Sequence, residues 1–200
     1  LDLLFDSNIE LVSLIGAAGT GKTLLATAAG LEQVVHSSKK NGGYDKLIIT
    51  RPVQPMGRDI GFLPGSIEEK MAPWVAPIKD NLQFLFGDKT ALEMQIEQGT
   101  IEIEAMTYIR GRSIANAFII VDEAQNLTIH ELKTIITRVG DNTKIVLTGD
   151  IQQIDNVYVD AVSNGLTHAV EKFKEQKLSG HITLTKGERS TLATLASEIL

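Results

Sequence analysis

Gly16-Ala17-Ala18-Gly19-Thr20-Gly21-Lys22-Thr23 satisfies the pattern G-x-x-x-x-G-K-[ST] at every fixed position. It is preceded by the apolar, strand-favouring run Leu11-Val12-Ser13-Leu14-Ile15 and followed by Leu24 to Leu31, which is rich in good helix formers. Strand, glycine loop and helix in that order predict a site for a nucleoside triphosphate. A loop that wraps a polyphosphate turns successive backbone N–H groups inward, and side chains at Gly16, Gly19 or Gly21 would obstruct that approach. The helix beginning near Lys22 adds unpaired N–H groups and the positive end of its dipole. In this reading Gly16 to Thr23 bind the phosphates, Lys22 reaches the β- and γ-phosphates as a point charge, and the Thr23 hydroxyl coordinates Mg²⁺.

The rest of the chain alternates strand and helix signals, with no internal repeat or low-complexity segment, which predicts an α/β fold with a parallel sheet. Lys46 to Arg51 is a buried strand stopped by Pro52, after the loop Ser37 to Gly43. Pro52 to Gly65 is a long connection of the kind that carries function, with Arg51 before it and Arg58 within it. From Ser66 to Phe86 apolar residues recur at helical spacing, and Pro73 and Pro77 predict two pieces with a kink. Trp74 and Phe84 are expected in the core, with base stacking the competing reading. Thr100 to Ala105 alternates as a half-exposed strand. It runs toward Arg110 and Arg112, which flank Gly111 and suit either a phosphate grip or solvated surface positions.

Ala117 to Val121 is a second strong element, a buried strand ending in Asp122 and Glu123. Carboxylates at the carboxyl end of an α/β strand sit where ligands bind. Asp122 is expected to hold Mg²⁺ together with Thr23, and Glu123 to orient and deprotonate the attacking water. Thr128 and Glu131 predict a capping box on a helix reaching about Arg138. Lys144 to Asp150 is the next buried strand, and Gln152 and Gln153 follow directly, a position from which a Gln can sense γ-phosphate. A helix over Asp160 to Lys177, a short strand at Ile182 to Leu184 and a final helix over Ser190 to Leu200 complete the pattern. Arg189 is a candidate arginine finger, with an ordinary surface arginine the alternative.

Composition bounds these readings. The chain has 200 residues, 43% hydrophobic and 22% charged, enough for one globular domain with a substantial core. There is no cysteine, which excludes disulfides and thiolate metal sites, and the four histidines are scattered. The net charge of -6 argues against a large basic surface for nucleic acid, although a local basic track is compatible with it. No apolar run suits a membrane span and no export signal is seen, so a cytoplasmic protein is expected. A start at Leu1 rather than Met, close to the first strand, predicts a single domain, residues 1–200, excised from a longer protein.

Gly16 to Thr23, Asp122-Glu123-Ala124-Gln125 and Gly149-Asp150-Ile151-Gln152-Gln153 resemble the P-loop, D-E-A-Q and G-D-x-x-Q elements of superfamily 1 helicases. A closer resemblance is to the PhoH family of ATPases. It extends through Thr50-Arg51-Pro52-Val53, Gly61 to Gly65, Tyr108 to Arg112 and Lys186 to Ser190, and so covers nearly the whole chain. The run Glu69 to Trp74 is similar to the branch in which a PIN ribonuclease domain precedes the ATPase. The resemblance implies a three-layer, RecA-like P-loop fold with helices on both faces of a parallel sheet. It implies ATP and Mg²⁺ as cofactors, with Lys22, Glu123, Gln153 and Arg189 catalytic and Thr23 and Asp122 at the metal. It also implies coupling to RNA or single-stranded nucleic acid, and a homo-oligomeric ring, a hexamer in the family, in which Arg189 reaches a neighbour's ATP. The alternative is a nucleotide-dependent switch that gates a partner without acting on nucleic acid.

Overall fold

The computed structural model describes residues 1–36, 43–52, 67–109 and 113–187. Its elements run α1 (Asp2–Phe5), β1 (Leu11–Gly16), α2 (Lys22–Leu31), β2 (Lys46–Arg51), α3 (Ile67–Phe86), α4 (Lys89–Glu97) and β3 (Ile101–Ala105). They continue with α5 (Met106–Ile109), β4 (Ala117–Val121), α6 (Ile129–Ile136), β5 (Lys144–Gly149), α7 (Gly165–Phe173) and β6 (Ser179–Leu184). The six strands form one sheet in the order β3-β2-β4-β5-β1-β6, and every pairing is parallel.

A parallel sheet must be covered on both faces, and the near-continuous apolar strands supply both covers by alternation. Leu47, Ile49, Phe118, Ile120 and Val146 point to one side, where they pack with Ala26, Ala29, Ile78, Leu82 and Leu92 of α2, α3 and α4. Ile48, Ile119, Ile145 and Leu147 point to the other and pack with Ile109, Leu132, Ile135 and Leu166 of α5, α6 and α7. The result is the three-layer, RecA-like P-loop architecture expected from the sequence. α2 crosses the sheet closely at Gly30, where a Cβ would lie 2.8 Å from Leu47 Cδ1 and 2.9 Å from Phe118 Cδ1. Phe118 is in turn set edge-on against Tyr44, with ring centroids 5.6 Å apart.

Several boundaries differ from the sequence reading. α3 is one element of 20 residues that contains both Pro73 and Pro77. Each proline removes one backbone donor, and the apolar residues Ile78 and Leu82, buried against the sheet, keep the helix docked. Phe84 on this helix is 75% exposed and Trp74 is half-buried, so the core placement fails for Phe84. α7 starts at Gly165 rather than Asp160 because the Asp160 Oδ1 accepts bonds from Val162 N, Ser163 N and Ser163 Oγ. That turn competes with helix formation, and Asn164 caps the helix instead, accepting from Thr167 N at 2.8 Å. α6 has the expected capping box between Thr128 and Glu131 but ends at Ile136. β6 is longer than expected and closes the edge beside β1. The helix expected over Ser190 to Leu200 and the connection over Val53 to Gly65 lie outside the described residues.

Candidate functional site

The carboxyl ends of β1, β4 and β5 are adjacent in the sheet, so residues from three distant stretches of sequence meet there. β1 delivers the glycine loop. Gly19 and Gly21 have φ near 80°, the left-handed region that favours glycine. At Gly16 the constraint is space, since a Cβ would lie 2.6 Å from Leu184 O and 2.9 Å from Thr20 Oγ1. α2 begins at Lys22 with no side-chain cap on its first N–H groups, and the Lys22 Nζ folds back to donate to Gly16 O at 2.6 Å and Ala17 O at 2.9 Å.

β4 delivers Asp122, which is buried. Its N–H donates to Thr50 O at the end of β2, and its Oδ1 accepts two hydroxyls, Thr23 Oγ1 at 2.7 Å and Thr148 Oγ1 at 2.6 Å. These short contacts fall in the range of charge-assisted O–H···O⁻ bonds. They tie the start of α2 to β4 and β5 through one carboxylate. The chain then turns at Glu123, with φ 52°, into a short 3₁₀ turn over Ala124–Asn126.

β5 delivers Asp150, also buried. Its Oδ2 accepts from the Ala18 N–H of the glycine loop at 3.0 Å, and its Oδ1 from Gln152 N at 3.0 Å. Gln125 is fully buried and joins three of these groups. Its Nε2 donates to Glu123 Oε2 at 2.6 Å and Gln153 O at 2.8 Å, while its Oε1 accepts from Asp150 N at 3.2 Å. Gly149 makes room for that amide, because a Cβ there would come within 2.6 Å of Gln125 Oε1. Asn126 extends the scaffold, accepting from Asp155 N and Asn156 N through Oδ1.

A cavity of about 340 Å³ opens over the loop, lined by Ala18, Gly19, Gly21, Lys22 and Thr23 together with Asn81 of α3, Glu123, Asp150 and Gln153. The structure therefore gathers Lys22, Thr23, Glu123 and Gln153 around one space, with Asp122 directly beneath Thr23. Gly187 approaches the loop from β6, its Cβ direction pointing 3.7 Å from Gly19 O. Arg189 itself, like Arg58, Arg110 and Arg112, lies outside the described residues. Sequence reading assigned no role to Thr148, Asp150, Gln125 or Asn81. Gln125 and Asp150 stand within quoted motifs, whereas nothing in the sequence around Thr148 or Asn81 marks them.

This loop, this sheet order and a carboxylate on the loop threonine define a P-loop NTPase. Residues 3–199 match the family described as PhoH-like protein, and the chain belongs to that family. It is 56% identical over 203 residues to Protein PhoH2 of Bacillus subtilis (strain 168), covering 100% of this chain and 45% of that protein. It is 39% identical over 181 residues to Protein PhoH of Escherichia coli (strain K12), covering 88% of this chain and 48% of that one. The chain thus spans less than half the length of these relatives. Among solved structures it is similar to the Pif1 helicase from Candida albicans, at 16% identity and a TM-score of 0.42 over 96% of this chain and 39% of that one. Among the described residues no helix is long and apolar enough to cross a membrane.

Proposed function

We propose that this chain is a Mg²⁺-dependent ATPase domain of a longer protein, with turnover coupled to RNA or single-stranded nucleic acid. The observation that carries the reading is the meeting of Thr23, Asp122 and Glu123 at the glycine loop. The loop amides and Lys22 bind the β- and γ-phosphates. Thr23 Oγ1 and Asp122 Oδ1 are hard oxygen donors 2.7 Å apart, a set that fits Mg²⁺ when phosphate oxygens and water complete the shell. When bound there, Mg²⁺ neutralises charge on the β- and γ-phosphates.

Glu123 faces the same cavity and acts as the base. It takes a proton from water as the water oxygen attacks the γ-phosphorus, the bond to the bridging oxygen breaks, and ADP and phosphate leave. Gln153 lines the cavity as the γ-phosphate sensor, and the buried Gln125 amide ties its backbone to Glu123. Arg189 is the finger in this reading, supplied to a neighbour's ATP in a ring of copies. The nucleic-acid part rests on the three helicase-like sequence motifs and on Arg51 at the carboxyl edge of the sheet. The second reading, a switch that gates a partner, draws on the net charge of -6.

The test is steady-state ATP hydrolysis with and without single-stranded RNA, beside Lys22→Ala. Turnover that Lys22→Ala abolishes and RNA stimulates is expected. Turnover that survives Lys22→Ala refutes the site, and RNA-indifferent turnover moves the assignment to the switch.

A further inference from the structure

We infer that Arg51 is a positioning residue that holds Glu123 in a resting state, and that a nucleic-acid phosphodiester activates hydrolysis by drawing Arg51 away. The inference rests on the hydrolytic reading above and supplies its regulation. Arg51 is the last residue of β2, and Glu123 lies two residues past the end of neighbouring β4, whose Val121 is in register with Thr50. Arg51 Nη2 and Glu123 Oε1 are 3.3 Å apart, and the other carboxylate oxygen, Oε2, accepts from Gln125 Nε2 at 2.6 Å. Both oxygens of the base are thus engaged by protein groups. With one contact on each oxygen, the orientation of the carboxylate is set by Arg51 and Gln125 rather than by a water over the glycine loop.

The two holds differ. The Gln125 amide is fully buried and also fixed to Asp150 and Gln153, so it is a permanent part of the frame. The Arg51 and Glu123 side chains are 26% and 33% exposed, so their ion pair is accessible and weak enough to exchange. Arg51 is moreover absent from the lining of the nucleotide cavity, whereas Glu123 belongs to it. The anion inferred to compete for the guanidinium is therefore one that meets the exposed part of Arg51 rather than one held in the cavity. A phosphodiester backbone offers the paired oxygens that a guanidinium fork prefers.

The experiment measures kcat and KM for ATP in wild type, Arg51→Ala and Arg51→Lys, each with and without polyuridylate. Arg51→Ala is expected to raise RNA-free kcat about two- to fivefold, the range an ion pair of this exposure spans, with KM for ATP little changed. Its stimulation by polyuridylate is lost, and Arg51→Lys, which keeps the charge but not the fork, keeps the low RNA-free kcat and recovers only part of the stimulation. A lower or unchanged RNA-free kcat in Arg51→Ala overturns the hold. Should Arg51→Ala not fold, Arg51→Gln, which keeps most of the stem and gives up the charge, reads the same quantities. Wild-type hydrolysis that polyuridylate leaves unchanged, or that polyglutamate stimulates in its place, overturns the ligand. Absence of wild-type hydrolysis, or of its stimulation by polyuridylate, refutes the reading above as well, whereas stimulated wild-type turnover beside an RNA-free kcat that Arg51→Ala does not raise refutes the hold alone, so the two failures are distinct.

Discussion

Replacing Thr148 by valine removes one hydroxyl and keeps the shape of the side chain, which isolates the bond to Asp122. Thr148 is fully buried, and its Oγ1 lies 2.6 Å from Asp122 Oδ1, the same oxygen that Thr23 reaches at 2.7 Å. A hydrogen bond to a charged group contributes about 1.5–3 kcal/mol, and leaving a buried acceptor without its donor carries much of that cost. In a chain of this size each kcal/mol moves the melting temperature by about 2–4 °C, so a fall of about 4–8 °C is expected for a loss near the lower part of that range. Thr148→Ser keeps the donor and loses one methyl group, a change of about 1 kcal/mol. Thermal melts monitored by circular dichroism, with Mg²⁺-dependent nucleotide binding measured in parallel, distinguish the two. The valine variant should be the less stable and the weaker binder. A valine variant that melts with wild type, or above the serine variant, would refute the view that Asp122 is held by two hydroxyls.

Three further outcomes follow from the same geometry. Gly149→Ala would place a Cβ 2.5 Å from Leu166 Cδ2 and 2.6 Å from Gln125 Oε1. Such overpacking costs about 1–3 kcal/mol in denaturant titration and, by displacing the Gln125 amide, should slow ATP turnover as well. Thr128→Ala removes the capping box, in which Glu131 N donates to Thr128 Oγ1 and Thr128 N donates to Glu131 Oε2, and should cost about 1 kcal/mol with no effect on nucleotide binding. Lys144 is 1% exposed and donates to the carbonyls of Leu3, Asp6 and Ile9; burial lowers its pKa from 10.5 to about 8, against the pull of Asp6 and Glu10. Because its folded pKa lies below the unfolded one, the unfolded chain binds more protons between those values. Wild type should therefore gain stability relative to Lys144→Met as pH rises from about 8 toward 10.5, measured as the difference between paired melts.

Much of this architecture was legible because the signals are local. Ile48 and Ile49 or Ile119 and Ile120 announce strands buried on both faces, Gly19 and Gly21 announce a backbone only glycine adopts readily, and Thr128 with Glu131 announces a helix start. Where local signals compete, the sequence misled. Pro73 and Pro77 spoke for two helical pieces where the docking of Ile78 and Leu82 accompanies one element, and the helical spacing after Asp160 concealed a side chain that builds a turn instead. The site shows the same division. Lys22, Thr23, Asp122 and Glu123 sit in motifs whose spacing carries their chemistry. Thr148 was invisible because a threonine within a β-strand is unremarkable until the sheet order sets β5 beside β4. Asn81 was hidden for a similar reason, since only the packing of α3 over α2 brings it to the cavity. The Arg51–Glu123 pair joins residues 72 positions apart, a contact that exists only once β2 and β4 are neighbours.

The central claim is that Glu123 is the base of a hydrolytic site, and Glu123→Gln tests it most directly. The substitution keeps the size of the side chain and removes its capacity to take a proton. ATP binding and single-turnover hydrolysis should be measured on the same preparation. Retained Mg²⁺–ATP affinity with hydrolysis reduced by two orders of magnitude or more, on the order of what a positioned base contributes, is the result this account requires. Hydrolysis at the wild-type rate in Glu123→Gln would contradict it and place the base elsewhere.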